Sequence, residues 1–151
     1  MISLRFSHLG ICVSNLEASL AFYRDALGFE ESGDLAVKGE PSQTLLGLAD
    51  VDLRAVYLRR DGVTIELLHY ASPGQVGDAA PRAMNALGLT HLSLRVTGLD
   101  ALVADLEERG FPVLRETAID HPELSARAVF VTDPDGTRVE LVEMREAAPS
   151  A

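Results

Sequence analysis

FSHLGICVSNLEASLAFYRDALGFE, residues 6–30, decides the fold because the chain states it twice. The second statement is THLSLRVTGLDALVADLEERGFPV, residues 90–113. His8 falls on His91, Val13 on Val96, Leu16 on Leu99, and Gly28-Phe29 on Gly110-Phe111. The halves also close alike, DGVTIELL at 61–68 lying over DGTRVELV at 135–142. Each half therefore carries a His near its start and a Glu, Glu66 or Glu140, near its end. Internal self-similarity of this kind marks a supersecondary unit used more than once.

Working outward from that stretch, residues 6–13 alternate as a strand, with Leu9, Ile11 and Val13 on one side and His8, Gly10 and Cys12 on the other. Ser14-x-x-Glu17 reads as a capping box opening a helix to about Ala26. Leu16, Leu20, Tyr23 and Leu27 hold helical spacing, and Gly28 stops the run. Residues 31–39 predict a short strand with loops, and 42–48 a helical turn or a loop over a pocket. Strands are expected at 52–59 and 64–70, joined through the hairpin signal Asp61-Gly62. The second half repeats the plan: strand 90–96, a weaker cap at Thr97-x-x-Asp100, helix 99–109, then strands near 113–116, 126–132 and 138–144. Asp133-Pro134-Asp135-Gly136 is a turn before the last of these.

The organisation that follows is α+β: two tandem βαβββ modules whose strands curl into a cup-shaped mixed sheet with helices outside. Residues 1–72 form the first module, the Pro-, Gly- and Ala-rich residues 73–88 the linker, 89–146 the second module and 147–151 a flexible tail. Units of roughly 70 residues are marginal alone, so they are expected to fold together or with a partner chain.

Bulk properties exclude several function classes. The 151 residues are 47% hydrophobic and carry a net charge of −10, the opposite of the basic footprint that nucleic acid demands. No apolar run approaches a membrane span, and the first residues lack the charged start and long apolar stretch of a signal peptide. The single cysteine excludes an internal disulfide and a cysteine zinc site, and suits a reducing cytoplasm.

Strand parity then locates the chemistry. Successive side chains face opposite sides, so His8 leaves the helix-covered face together with Gly10 and Cys12, and His91 together with Ser93 and Arg95. Glu66 goes with Leu68 and Tyr70, and Glu140 with Val142 and Met144. Two imidazoles and two carboxylates turned toward one concave face suit a divalent ion such as Zn²⁺, Ni²⁺, Co²⁺, Mn²⁺ or Fe²⁺. The ion's charge balances both carboxylates, which makes burying the four groups together feasible. A lone His or Glu on a strand is ordinarily just a polar residue; the matched pair occurring twice is what singles these out. His69 and His121 are expected at the surface, and Cys12, Tyr70 and Arg95 are candidates for substrate contact.

These residues resemble the vicinal oxygen chelate superfamily, the glyoxalase, bleomycin resistance protein and dioxygenase type. HLGICVSNLEASLAFYRDALGF is similar to the opening of methylmalonyl-CoA epimerases, and FVTDPDGTRVELVE to the close of glyoxalase I. The resemblance implies metal ligands at His8, Glu66, His91 and Glu140. It further implies proton transfer beside a metal-chelated carbonyl of a small oxygenated substrate, by an isomerase, epimerase or lyase. Glu140 would be the base, and Glu66 its partner or the second base for the opposite face. Glutathione-dependent glyoxalases carry an Arg and an Asn where this chain has Cys12 and Tyr70, so the likeness stops short of a glutathione site. Two other activities stand beside this one: an Fe(II) extradiol-type dioxygenase with Glu66 turned from the metal, and a non-catalytic drug or metabolite binder. Related proteins are often dimers, so a homodimer is expected, with the site inside one chain or across the dimer interface.

Overall fold

The computed structural model of the chain describes residues 1–145; the tail 147–151 lies outside the described residues. The chain folds as two compact units, Met1–Gly77 and Asp78–Ala151. Each is a four-stranded mixed sheet with one principal helix, and the whole is α+β with two βαβββ-like modules.

In the first unit, β1 (Leu9–Cys12) leads into α1 (Leu16–Leu20), which widens into a π-helical turn over Ala21–Ala26. Then follow β2 (Glu30–Lys38), a short α2 (Ser42–Leu46), β3 (Asp52–Arg60) and β4 (Val63–Ser72). The strand order is β1-β4-β3-β2, with β1 parallel to β4 and the rest antiparallel. The cap of α1 is Asn15 rather than Ser14: its Oδ1 accepts from Ala18 N at 3.0 Å. Both residue types cap well, and the one whose side chain reaches back to a first-turn amide takes the role. β2 is longer than its pattern predicts, because pairing along β3 sustains it despite few apolar side chains.

The core of this unit explains its parity. Ile65 and Leu67 on β4 and Val56 and Leu58 on β3 are fully buried, facing Leu16, Leu20, Phe22 and Tyr23 of the helical segment. Burying each large apolar side chain contributes about 1.5–3 kcal/mol. Phe22 and Phe29 stand edge-on to Tyr23, with ring centroids at 5.0 and 6.1 Å. Since alternate strand residues must point away from that core, Glu66 leaves it between Ile65 and Leu67.

The second unit repeats the plan with β5 (His91–Arg95), α3 (Leu99–Glu108), β6 (Val113–His121), β7 (Ala126–Thr132) and β8 (Arg138–Met144), in the order β5-β8-β7-β6. Its core is Leu99, Val103 and Leu106 against Val129, Val131, Val139 and Leu141. Again the polar residue, Glu140, alternates out of it. The expected local cap at Thr97 is replaced by a distant one. Gly98 sits left-handed at φ 81°, and Glu143 Oε1 accepts from the amides of Gly98 (2.7 Å) and Leu99 (3.1 Å). Arg127 holds that carboxylate from the other side and bridges to Asp100. β6 runs well past Glu116 because Thr117 mends a break in its pairing: Thr117 Oγ1 donates to Leu114 O and accepts from Phe130 N.

The turn before β8 is built around Asp133, fully buried, whose carboxylate accepts from the amides of Asp135 and Thr137. Gly136 there has φ 80°, and a Cβ would lie 2.4 Å from Ala79 O. The segment entering the second unit thus crosses directly over the turn, and Arg138 donates to Arg82 O beside it. Among the described residues no helix is long and apolar enough to cross a membrane.

Candidate functional site

The first unit brings His8 and Glu66 together. Gly10 lies opposite Glu66 on β1, and His8 immediately precedes that strand. His8 Nε2 stands 3.1 Å from Glu66 Oε2. The other ring nitrogen, Nδ1, is 2.9 Å from the hydroxyl of Ser7. When that hydroxyl accepts from Nδ1–H, the Nε2 lone pair is presented on the carboxylate side, the arrangement that orients a histidine ligand. Tyr57, opposite Glu66 on β3, borders both groups: its ring meets His8 edge-on at 5.6 Å. Hydrogen bonding toward Glu66, followed by burial and the carboxylate charge, raises the Tyr57 phenol's pKa above its ordinary value.

The second unit makes the corresponding pair. His91 Nε2 is 3.8 Å from Glu140 Oε2, and His91 Nδ1 is 2.9 Å from the hydroxyl of Thr90. Phe130, opposite Glu140 on β7, meets His91 edge-on at 5.4 Å. Ser93, opposite Glu140 on β5, donates to its Oε2 at 2.7 Å. The duplication thus extends beyond the His–Glu pair to a hydroxyl on each Nδ1 and an aromatic edge against each imidazole.

Of the remaining sequence candidates, Cys12 is exposed at the end of β1, opposite Leu68. Tyr70 is half-buried on β4, two residues beyond it. Burial first, then the charges of Cys12 and Glu66, push the Tyr70 phenol upward, so these three share one neighbourhood. Arg95 is exposed and alternates onto the same face of β5 as His91 and Ser93. His121 is half-buried with its Nδ1 enclosed, more covered than a surface position would be. Sequence reasoning passed over Ser7, Tyr57, Thr90 and Phe130 and took Ser93 only as a neighbour of His91. The signal lay in the dipeptides Ser7-His8 and Thr90-His91, a hydroxyl preceding each histidine.

Each pair offers one imidazole nitrogen and one carboxylate oxygen, donors that suit a borderline or hard divalent cation. Among the described residues there is no cluster of three or more His, Cys, Asp or Glu side chains set to hold a metal. What each unit provides is a His–Glu pair whose imidazole has a hydroxyl 2.9 Å from its other ring nitrogen. A carboxylate so placed can also accept a proton from a bound carbon acid.

Comparison with known proteins places the architecture. The family model of the Glyoxalase/Bleomycin resistance protein/Dioxygenase superfamily matches residues 5–141. An uncharacterised Escherichia coli protein, YaeR, is 32% identical over 136 residues, covering 90% of this chain and 93% of that one. Bovine mitochondrial methylmalonyl-CoA epimerase is 27% identical over 114 residues, 76% of this chain and 59% of that protein. A glyoxalase family protein from Bacillus cereus shares the fold, with a TM-score of 0.81 over 95% of both chains at 23% identity. With a match spanning nearly its whole length, both repeats included, the chain belongs to the glyoxalase/bleomycin resistance protein/dioxygenase superfamily.

Proposed function

We propose that the protein is a metal-dependent isomerase, epimerase or lyase that moves a proton next to the carbonyl of a small oxygenated substrate. The observation that carries this reading is the duplicated His–Glu pair with its duplicated support. His8 and Glu66, and His91 and Glu140, stand side by side on equivalent strands, each imidazole steadied by a hydroxyl and an aromatic edge. His8 with Glu66, and His91 with Glu140, are the residues that would hold a divalent ion. When bound, such an ion supplies Lewis-acid stabilisation of the negative charge that develops on a substrate carbonyl oxygen.

The chain's own residues do the rest. The Glu140 carboxylate takes the proton from the carbon beside the carbonyl while the C–H electron pair passes to the carbonyl oxygen. Returning that proton to the neighbouring carbon gives an isomerase; delivering one to the opposite face, from Glu66, gives an epimerase. Ser93 donates a hydrogen bond to the Glu140 carboxylate. Cys12, Tyr70 and Arg95 border the substrate. The likeness to an epimerase supports the proton-transfer class. The position of Glu66 beside His8, rather than turned from it, favours this reading over the dioxygenase alternative. On this reading the protein works as a cytoplasmic homodimer without a glutathione cosubstrate.

The test is metal analysis of protein purified without chelators, together with deuterium wash-in on hemithioacetals and 2-methyl acyl-CoA thioesters. The reading expects about one divalent ion per site and exchange at the carbon next to the carbonyl. Metal-free protein, or loaded protein that exchanges none of these substrates yet binds one tightly, would favour a non-catalytic binder.

A further inference from the structure

His91 and Arg138 stand directly opposite each other where β5 pairs with β8, and Arg138 lies two residues before Glu140 on β8. Strand alternation therefore puts Arg138 on the open face with His91, Ser93, Arg95 and Glu140, away from the core residues Val139 and Leu141. Its guanidinium carbon is 6.0 Å from the centre of the Phe130 ring, the ring that also packs edge-on with His91. Its Nη1 donates to Arg82 O. The head group is thus held beside the imidazole from two sides, half-buried rather than loose in solvent.

What this cation lacks is an anion. The chain is acidic, with 23 Asp and Glu against 13 Lys and Arg. In the second unit Arg109, Arg115, Arg127 and Arg145 each pair with a carboxylate. Arg82 is taken up by the carbonyls of Leu87 and Leu89. Arg95 and Arg138 pair with no carboxylate among the described residues, and both lie on the face that carries His91 and Glu140. The Arg138 Nε is moreover enclosed without a hydrogen-bond partner. An enclosed donor left unpaired costs stability, so folding alone does not account for the arrangement. Nη2, on the same edge as Nε, is the terminal nitrogen that Arg82 leaves over, and two parallel N–H groups on one edge match a carboxylate. The first unit has nothing equivalent beside its histidine: Thr64 stands two residues before Glu66, and the arginine is across from it, Arg59 on β3, exposed and opposite Glu30.

Resting on the proton-transfer reading above, we infer that Arg138 is a substrate-binding residue that selects molecules carrying a carboxylate in addition to the oxygens around the reacting carbon. The substrate class narrows from small oxygenated carbonyl compounds to the acids among them. Orientation follows from the strand. With its carboxylate at Arg138, the rest of the molecule runs along β8 toward Glu140, two residues or about 7 Å away, a distance that a chain of about four carbons spans.

The test is calorimetric binding of malate and of its 4-amide to the full chain loaded with Zn²⁺. Both compounds offer a hydroxyl and a neighbouring carboxylate to a metal, and only malate has a second negative charge. The unaltered protein is expected to bind malate about 10-fold more tightly than the amide. Arg138→Gln is expected to weaken malate about 10-fold and leave the amide within about twofold, abolishing the preference, while Arg138→Lys keeps part of it. Thermal melts confirm that both variants fold. Arg59→Gln removes the same charge from the first unit and is expected to leave the preference within about twofold, since a distant exposed charge is screened. A preference that survives Arg138→Gln, a loss matched by Arg59→Gln, or no preference or no binding in the unaltered protein overturns the inference. If no candidate substrate exchanges deuterium but the preference for malate and its dependence on Arg138 stand, the inference holds and the proton-transfer reading falls.

Discussion

Replacing Glu140 by Gln separates the proposed chemistry from the architecture that supports it. The side chain keeps its size, and its amide can keep the hydrogen bond with Ser93, now 2.7 Å long, whichever end faces the hydroxyl. The neighbouring core residues Val139 and Leu141 are untouched, so the fold should survive. What is lost is a proton acceptor and one negative donor 3.8 Å from His91 Nε2. A positioned general base is worth about 10²–10⁴ in rate, or about 3–5 kcal/mol of barrier. The assay is deuterium wash-in from D₂O followed by mass spectrometry, run at saturating metal so that weakened loading does not pass for lost catalysis. Ligand binding is measured by calorimetry in parallel. The expected result is exchange reduced at least 100-fold with binding within a few-fold of the unaltered protein, the signature of an interaction made only in the transition state. Exchange within threefold of the unaltered protein at full metal occupancy would refute the assignment of Glu140 as base.

Three further outcomes are expected. Thr90→Val, nearly isosteric, removes the hydroxyl 2.9 Å from His91 Nδ1 and should weaken divalent-metal affinity about 10-fold by chelator competition; unchanged affinity would show that the hydroxyl does not orient the ring. Arg127, then the Leu99 and Gly98 amides, hold the Glu143 carboxyl down to about 2 from an ordinary 4.5. A depressed folded-state value contributes stability that is present above pH 4.5 and is lost as pH falls toward 2. Thermal melts should therefore fall across that window, and Glu143→Gln should flatten the fall; an unaltered slope would contradict the role. Gly136→Ala and Gly98→Ala both place a side chain at a φ near 80°, but only at Gly136 does the new Cβ strike backbone. Gly98→Ala should cost about 1–2 kcal/mol in urea denaturation, and Gly136→Ala distinctly more; equal losses would mean that the Ala79 segment moves aside at no cost.

Much of this was legible in the chain because two strong signals coincide. Repetition identified the unit, and strand alternation assigned sides: Ile65 and Leu67, or Val139 and Leu141, must face a core, so Glu66 and Glu140 must leave it. What escaped the reading depends on partners distant in sequence. Glu143 caps a helix that begins more than 40 residues earlier, and a local capping pattern has no access to that. Thr117 mends β6 only because Phe130 N lies across from it. Tyr57 and Ser93 become notable only once the register sets them opposite the glutamates. The shift from Ser14 to Asn15 is a smaller matter, a choice between two good caps decided by which side chain reaches Ala18 N.

Where a unit is used twice, its shared residues and its divergent ones report different things. The apolar alternation, the His–Glu pair, the hydroxyl before each histidine and the aromatic opposite each glutamate recur because the same local geometry needs them in both places. The contacts on the two carboxylates do not recur: Ser93 donates to Glu140, whereas Gly10, the equivalent neighbour of Glu66, has no side chain to do so. The divergence falls on residues beside the carboxylates, not on the carboxylates themselves. Tyr57 with Gly10, and Ser93 with Phe130, are the strand neighbours in which the two units differ around the shared His–Glu pair.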